Sequence, residues 1–426
     1  MSQGPSLIFD KSSLESLNLD EAALLDNFYV SNITPLFFVE CLADLEKAIR
    51  SKSTPEQLVG SIATRTPDMQ SKANVHHSMI LKAELSRNLD LSKVLERPMP
   101  AGGTLVELEG KKGMMFQTNP EEEALQRWRR REFLSVERAF AKEWRAAILR
   151  INHDDLLSMM RANIGHWRKP KSLEDAKQMA DFIIDNMDAE WLIGFGMEFL
   201  DMRREAIAWV HNDWTTRRKP AIREYAPYFT LLLTVNIFFA LVLPTQLLRD
   251  VKPSHQIDLA YLYYLPFCSV FTSKDRFHAQ IVPLFLNQRQ TFVNGIELKE
   301  EMQKLNAYYS AMPDEVLRQG LFNFAQTPPE DTSFLTTRLW DKYLPLWRNP
   351  SPDTRDLRDP EISQKILDEV NKLTSQAKEV QSHDEYDLDK LNHVTIRRSV
   401  FAHKGKWRRF SEEQERSIEQ SREKPG

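Results

Sequence analysis

Short apolar runs alternate with helix-like segments at the start of the chain. Ser6–Phe9 is an apolar run that ends at Asp10, and residues 28–33 form a second one. Both have the length of a buried strand. Thr34 and Pro35 supply an N-cap and a first-turn proline for a helix that the pattern extends to about residue 49. Residues 1–50 are therefore predicted to form an α/β unit.

A second α/β pattern begins near residue 254. Residues 254–265 predict a helix that ends before Pro266, and residues 267–272 (FCSVFT) are a continuous apolar run typical of a buried strand. Further apolar runs cover residues 281–286 and 290–293. Neither α/β piece can bury both faces of its strands alone. We therefore expect residues 1–50 and 251–300 to share one parallel sheet.

The rest of the chain has a helical pattern. Apart from a stretch with proline and glycine near residues 97–113, residues 51–250 are helix-like and predict an insertion of about 200 residues, the size of a domain. Residues 301–426 predict a helical, charged C-terminal extension that ends, from Trp407 onward, in an extended tail. The predicted fold class is α/β, with a parallel-sheet core interrupted by a large α-helical insertion.

Residues 226–243 form the most apolar segment of the chain. Their length approaches that of a transmembrane helix. However, the segment contains Thr230, Thr234 and Asn236, and basic or acidic residues flank it on both sides. We expect a helix that is buried inside the protein or in a dimer interface. A membrane-attached protein is the alternative, and it rests on this segment alone.

Composition narrows the range of functions. The chain has 426 residues, of which 42% are hydrophobic and 28% are charged, which excludes a fully disordered chain and a multi-span membrane protein. It has 13 glycines, where average usage would give roughly 30, and this scarcity disfavours Rossmann and P-loop folds. The two cysteines and the lack of a signal-peptide pattern predict a reducing, cytoplasmic location.

Four acidic residues occupy positions where a predicted strand ends or a predicted helix begins. They are Asp10, Glu40, Asp258 and Asp275. The carboxyl ends of parallel strands form the ligand crevice of an open sheet, so we expect the four side chains to meet there. Their charges would repel one another unless a cation neutralised them, and hard oxygen ligands suit Mg²⁺ or Mn²⁺. Such a site can activate water against a phosphodiester.

The order of these acids resembles that of PIN-like nuclease domains. The resemblance is carried by LIFDKS at residues 7–12, TPLFFVECLADLEK at 34–47 and IDLAYLYYLPFCSVFTSKDRF at 257–277. It implies a metal-dependent nuclease in which Asp10, Glu40, Asp258 and Asp275 bind Mg²⁺ or Mn²⁺ and carry catalysis. Hydroxyl groups of Ser12, Thr272 and Ser273 would support them. The sequence departs from the family in the length of its insertion between the second and third acids.

Each candidate also has a purely structural interpretation. Asp10 can cap a helix, Glu40 can lie on a solvated helix face, Asp258 can interact with a helix dipole and Asp275 can shape a turn. The adjacent His76 and His77 point to different sides of a helix and make a poor chelate. Cys41 and Cys268 are expected to be small buried side chains, and His255 and His278 to be satisfied or exposed histidines.

Basic residues around a tryptophan suggest contact with nucleic acid. Arg127, Arg129, Arg130 and Arg131 surround Trp128, and Lys274 lies beside Asp275. Arginine suits phosphate groups and tryptophan can stack on a base, so these residues could line an RNA groove. The alternative is a solvated helix face that pairs with nearby glutamates.

The sequence thus favours a metal-dependent endonuclease acting on RNA, single-stranded or structured. A homodimer and a protein inhibitor are further partners compatible with this interpretation, and no membrane is expected. The alternative is an inactive PIN-like scaffold that binds RNA or protein. A haloacid-dehalogenase-type phosphatase is disfavoured because Ser12 stands where that chemistry needs a second aspartate.

Overall fold

The structure is a computed structural model of the whole chain. It describes residues 4–349, except 44, 46–52, 101–102, 117–119, 201, 249–254 and, within 150–167, all but 153, 156 and 158. Beyond residue 349 it describes residues 400–416 and separate positions between 365 and 396.

A five-stranded parallel sheet forms the centre of the protein. Its strands are β1 (Ser6–Phe9), β2 (Val30–Ile33), β3 (Ser71–Ala73), β6 (Val270–Ser273) and β7 (Thr291–Asn294), in the order β3-β2-β1-β6-β7. Leu7 pairs with Ser31 on one side and with Val270 on the other. The two α/β pieces of the sequence therefore share one sheet, and the predicted α/β class with a parallel sheet is confirmed.

Helices cover both faces of this sheet. Ile8 and Phe271 pack against one hydrophobic core, whereas Leu7, Phe9 and Val270 pack against the other. Every residue of β1 and β6 is buried. Burial on both faces explains why these strands are continuous apolar runs rather than alternating ones.

Helices make up most of the remaining described chain. They are α1 (Lys11–Glu15), α2 (Leu19–Phe28), α3 (Pro35–Ala43), α4 (Pro55–Arg65), α5 (His77–Leu85), α6 (Pro120–Arg129), α7 (Ser135–Leu149), α8 (Leu173–Asn186), α9 (Ala189–Phe199), α10 (Arg204–Thr216), α11 (Ile222–Tyr225), α12 (Pro227–Val242), α13 (His255–Ala260), α14 (Arg276–Ile281), α15 (Gly295–Ser310), α16 (Asp314–Leu317), α17 (Leu321–Phe324) and α18 (Leu335–Tyr343). Short 3₁₀ segments cover Leu91–Lys93, Tyr261–Phe267 and Val282–Leu284. The predicted end of α3 near residue 49 lies outside the described residues.

The insertion is not wholly helical. It contributes β3 to the edge of the central sheet, and β4 (Gly103–Leu108) and β5 (Lys111–Phe116) form an antiparallel hairpin flanked by β8 (Lys378–Glu379) and β9 (His393–Ile396). Glu109 and Gly110 both have positive φ, which is the signature of a type I′ hairpin turn. This hairpin accounts for the stretch with proline and glycine near residues 97–113.

The apolar segment of residues 226–243 forms the buried helix α12. Nearly all of its side chains lie in a hydrophobic core, and Thr230, Thr234 and Asn236 form hydrogen bonds there. The hydroxyl of Thr234 donates to the carbonyl of Thr230, and Asn236 Nδ2 donates to Leu232 O at 2.7 Å and to Tyr263 Oη at 2.9 Å. The prediction of burial is confirmed. Within the described part of the chain, no helix is long and apolar enough to cross a membrane.

Residues 400–416 of the C-terminal segment pack against the core, so the prediction of an extended tail is wrong for residues 407–416, and residues 417–426 lie outside the described residues. Strands β10 (His403–Lys404) and β11 (Trp407–Arg408) form a small hairpin. Arg409, only 1% exposed, donates to Asp26 at 2.8 Å and lies 2.6 Å from Asp68. Lys404 joins the same buried cluster of charges. Lys404 and Arg409 therefore hold the C-terminal segment against the core.

Candidate functional site

The carboxyl ends of β1 and β6 bring two of the predicted site residues together. Phe9 pairs with Thr272, so the next residues, Asp10 and Ser273, are neighbours at the edge of the sheet. The hydroxyl of Ser273 donates to Asp10 Oδ2 at 2.6 Å. Both side chains are buried. The strand register therefore positions Asp10, as the sequence pattern indicated.

Three donors fix the orientation of the Asp10 carboxylate. Oδ1 accepts the backbone N–H of Ser13 at 2.9 Å, which makes Asp10 the N-cap of α1. Oδ2 accepts the hydroxyls of Ser12, at 2.7 Å, and Ser273. The capping role and the position at the sheet edge coexist. The side chain is thus held in one orientation before any ligand binds.

His278 provides a positive charge beside Asp10. Its Nδ1 lies 2.8 Å from Ser273 Oγ and 3.7 Å from Asp10 Oδ2, and its Nε2 lies 2.8 Å from the carbonyl oxygen of Asp258. Burial alone would lower the pKa of His278, but the hydrogen bond and charge of Asp10, with the charge of Asp258, raise that pKa to about 9. The ring is an imidazolium at neutral pH, so both of its nitrogens donate.

The interaction between His278 and Asp10 also lowers the pKa of Asp10. Burial raises the pKa of a carboxyl group, yet His278 and the hydroxyls of Ser273 and Ser12 hold the pKa of Asp10 below its ordinary value. Asp10 is therefore a carboxylate at neutral pH. His278 thus donates to the hydroxyl of Ser273, and that hydroxyl donates to Asp10. The backbone N–H of Asp275 donates to the same Ser273 Oγ at 2.9 Å.

Glu40 projects into this neighbourhood from α3. Its Oε2 accepts the hydroxyl of Tyr261 at 2.5 Å and the backbone N–H of Lys11 at 3.4 Å. Burial, together with the charges of Asp10 and Asp258, raises the pKa of Glu40 to about 8. Glu40 thus holds a proton at pH 7.

The remaining two acids begin helices near the same edge. Asp258 lies in the first turn of α13, where burial raises its pKa and the charges of Asp275 and Asp10 add to the rise, against the opposing charge of His278. Asp275 follows β6 and caps α14 by accepting the N–H of Phe277 at 2.7 Å. All four acids therefore interact electrostatically, directly or through one another, although the chain separates Glu40 from Asp258 by the whole insertion.

The four acids do not converge on a single point. Among the described residues, no group of three or more His, Cys, Asp or Glu side chains is arranged to hold a metal ion. Mg²⁺, however, usually keeps several waters and takes only one or two carboxylates from the protein. Among the described residues, Asp10 Oδ1 accepts a hydrogen bond from the N–H of Ser13 alone. The oxygen donors of this edge thus fit Mg²⁺ or Mn²⁺ in chemistry.

Two of the three predicted supporting hydroxyls belong to the site. Ser12 and Ser273 both donate to Asp10. Thr272 contributes its carbonyl oxygen, which accepts the N–H of Asp10 at 3.3 Å, but its hydroxyl makes no hydrogen bond to the described residues. Successive side chains of a strand point to opposite faces, so the Thr272 side chain lies on the face away from Ser273.

The basic cluster around Trp128 differs from the predicted surface. Trp128 is fully buried and donates to Glu137 at 2.8 Å, so its ring cannot stack on a base. Arg127 pairs with the same Glu137, and Arg130 pairs with Glu132. Arg129 donates to three backbone carbonyls at the end of α4 and the loop after it. Of the predicted nucleic-acid contacts, the exposed side chains of Arg131 and Lys274 form no ion pair with the described residues.

Two residues of the site were not among the predicted site residues: Tyr261 was not singled out, and His278 was expected to be a satisfied or exposed histidine and is a satisfied one. His278 and Tyr261 hold Asp10 and Glu40, respectively, and both are buried aromatic rings that the sequence does not distinguish from core residues. The spacing of His278, five residues after Ser273 in the first turn of the following helix, was the available signal.

Comparison of the chain with protein-family models, with curated proteins and with solved structures finds no match. The functional interpretation therefore depends on the geometry and chemistry of this site.

Proposed function

We propose that the protein is a metal-dependent endonuclease that hydrolyses phosphodiester bonds in RNA, with a PIN-like core and an active site formed by Asp10, Glu40, Asp258 and Asp275. One observation carries the proposal. Four acids from two distant parts of the chain interact at the carboxyl edge of a parallel sheet, where open α/β folds bind their ligands. The choice of RNA follows from the resemblance of the acid order to PIN-like nucleases.

Asp10 and Asp275, the two aspartates that follow strands, are the proposed ligands of Mg²⁺ or Mn²⁺. When bound, the ion would lower the pKa of a coordinated water and stabilise charge on the phosphate oxygens. The protein holds Asp10 ready for this role through the hydroxyls of Ser12 and Ser273 and the N–H of Ser13. Rigid ligands of this kind do not need to reorganise when the ion arrives.

Glu40 is the proposed proton carrier. Because its pKa is about 8, the group exchanges its proton close to neutral pH, where general acid–base catalysis is most effective. Its Oε2 accepts the hydrogen bonds of Tyr261 and Lys11, which leaves Oε1 to carry the proton. Tyr261 thereby orients the carboxyl group and leaves Oε1 able to exchange its proton.

A non-catalytic scaffold is the second candidate, and two observations favour it. No three described acids or histidines converge as metal ligands, and the imidazolium of His278 already neutralises Asp10. A scaffold of this kind would bind RNA or protein through the same surface without cutting it.

A cleavage assay separates the two candidates. Wild type, Asp10→Asn, Asp275→Asn and Glu40→Gln are incubated with labelled single-stranded RNA and Mn²⁺ or Mg²⁺. Wild type is expected to cleave only with metal, and all three variants to lose activity. Asp188→Asn is the matched control, since Asp188 also caps a helix but lies on α9, outside the site. Cleavage that survives in Asp275→Asn, or no metal-dependent cleavage by wild type, would leave the scaffold.

A further inference from the structure

Two adjoining cavities line helix α4. The smaller has a volume of about 170 Å³ and includes Lys11, Ser61 and Arg65 in its wall. The larger, of about 480 Å³, is lined by Ser61 and Arg65 again, and by Arg129 and Arg131. The two cavities share Ser61 and Arg65, in the C-terminal half of α4, and we refer to them together as the α4 groove. Its larger part has the volume typical of ligand sites.

The groove carries unbalanced positive charge. Arg65 donates to Leu17 O at 2.7 Å and to Ser61 O and Oγ, both at 2.7 Å, which are neutral acceptors. Within the described part of the chain, neither Arg65 nor Arg131 has a carboxylate partner. The acidic residue in the wall of the groove is Glu15, and it pairs with Lys11 at 3.2 Å. The groove therefore has two arginines whose charge nothing in the described chain cancels.

The protein holds Arg65 in a fixed position. The contacts of its Nε and Nη1 with α4 and with Leu17 leave Nη2 without a hydrogen bond to the described residues. Gly60 allows α6 to approach α4 closely, since a Cβ at this position would lie 3.1 Å from Trp128 O and 3.2 Å from Arg131 Cγ. Close packing thus places Arg131 at the groove. Fixed guanidinium groups with free N–H donors suit phosphate oxygens.

The inner end of the groove adjoins the acidic site. Lys11 directly follows Asp10, and its backbone N–H donates to Glu40 Oε2 at 3.4 Å. Cys41, which follows Glu40, lies in the same wall. Two residues in the wall of the groove are thus the direct chain neighbours of Asp10 and Glu40.

We propose that the α4 groove binds the phosphate backbone of a single-stranded polynucleotide and guides the strand to the acidic site. This inference rests on the proposed function and adds the surface that would hold the substrate. Arg65, at the end of α4, and Arg131, just after α6, are two separate cations in one groove, an arrangement that suits successive phosphates of a single strand. The walls contain aliphatic side chains rather than aromatic ones, so binding is expected to be independent of base sequence.

Binding measurements on the full-length protein test the proposal. Fluorescence anisotropy is recorded in EDTA, without cleavage, using labelled oligouridine and oligothymidine of about 12 nucleotides and an RNA duplex of similar length. The variants are Arg65→Gln and Arg131→Gln, and the matched control is Arg130→Gln. Arg130 is also an exposed arginine next to the groove, but it pairs with Glu132. Arg131→Gln changes an exposed side chain and keeps the test valid if Arg65→Gln affects folding.

Both groove variants are expected to raise the Kd several-fold and to lower the slope of log Kd against log salt by about 0.7 for each lost phosphate contact, whereas the control binds as wild type does. The two oligonucleotide arms show whether the strand is RNA or DNA, and tighter binding of the duplex would overturn the assignment to a single strand. If wild type binds and cleaves RNA but the groove variants behave as the control does, the groove proposal fails and the nuclease stands. If binding depends on Arg65 and Arg131 but wild type never cleaves, the groove stands and the nuclease fails.

Discussion

Replacing His278 with asparagine isolates the charge that the protein places beside Asp10. The pKa of this buried histidine rises from 6.5 to about 9 in the folded state, because Asp10 and Asp258 favour the imidazolium. The folded state therefore binds the proton more tightly than the unfolded state does. The resulting stability is fully present below pH 6.5 and is lost as the pH rises through 9. A shift of this size corresponds to about 3 kcal/mol in the free energy of unfolding.

Urea denaturation of wild type and His278→Asn between pH 6 and pH 10 measures this contribution. The variant also loses packing, but that loss is the same at every pH, so only the difference in slope reports the proton. Between pH 6 and pH 10, we expect the free energy of unfolding of wild type to fall by about 3 kcal/mol more than that of the variant. His403→Asn controls for a histidine on the surface. Parallel curves for wild type and His278→Asn would refute the claim that an imidazolium neutralises Asp10.

Three further changes test the packing and the buried charges. In α9, Gly196→Ala is expected to destabilise by about 1–3 kcal/mol, because the new Cβ would lie 2.6 Å from an aromatic ring of α12, whereas Gly194→Ala has open space and should stabilise by up to about 1 kcal/mol in thermal unfolding. Arg409→Met should cost about 3–5 kcal/mol in urea denaturation, since it leaves Asp26 buried and short of a partner. Burial raises the pKa of Glu84 to about 7, so this group should lower the free energy of unfolding of wild type as the pH rises from 4.5 to 7. The free energy of unfolding of Glu84→Gln should depend less on pH over this range, and equal slopes for the two proteins would contradict the assignment.

The elements predicted best from sequence are those whose residues are all buried in the hydrophobic core. β1 and β6 lie between two hydrophobic cores, so a continuous apolar run identified each to within three residues. β3 was missed because its sequence, Ser-Lys-Ala, contains no apolar run. It forms only because the edge of β2 offers it a partner, and this pairing depends on tertiary structure.

The candidate site likewise contains residues that the sequence identifies and residues that it does not. Asp10 and Asp275 could be found because each follows a strand, and strand ends meet at one edge. The roles of His278 and Tyr261 depend on which buried groups they touch, and local sequence offers for these roles no more than the spacing of His278 after Ser273. For Trp128 the sequence left base stacking and a solvated helix face both open, but the ring is buried and Glu137, nine residues away, accepts its N–H.

Direct titration of Mn²⁺ into the protein at pH 7 tests the central claim, that Asp10 and Asp275 hold a cation at the edge of the sheet where the four acids interact. Calorimetry in two buffers of different ionisation enthalpy gives both the affinity and the protons released. We predict that wild type binds the ion with release of roughly one proton, from Glu40. Asp10→Asn and Asp275→Asn should lose binding, and Asp188→Asn should retain it. No binding by wild type, or equal binding by Asp10→Asn, would contradict the account.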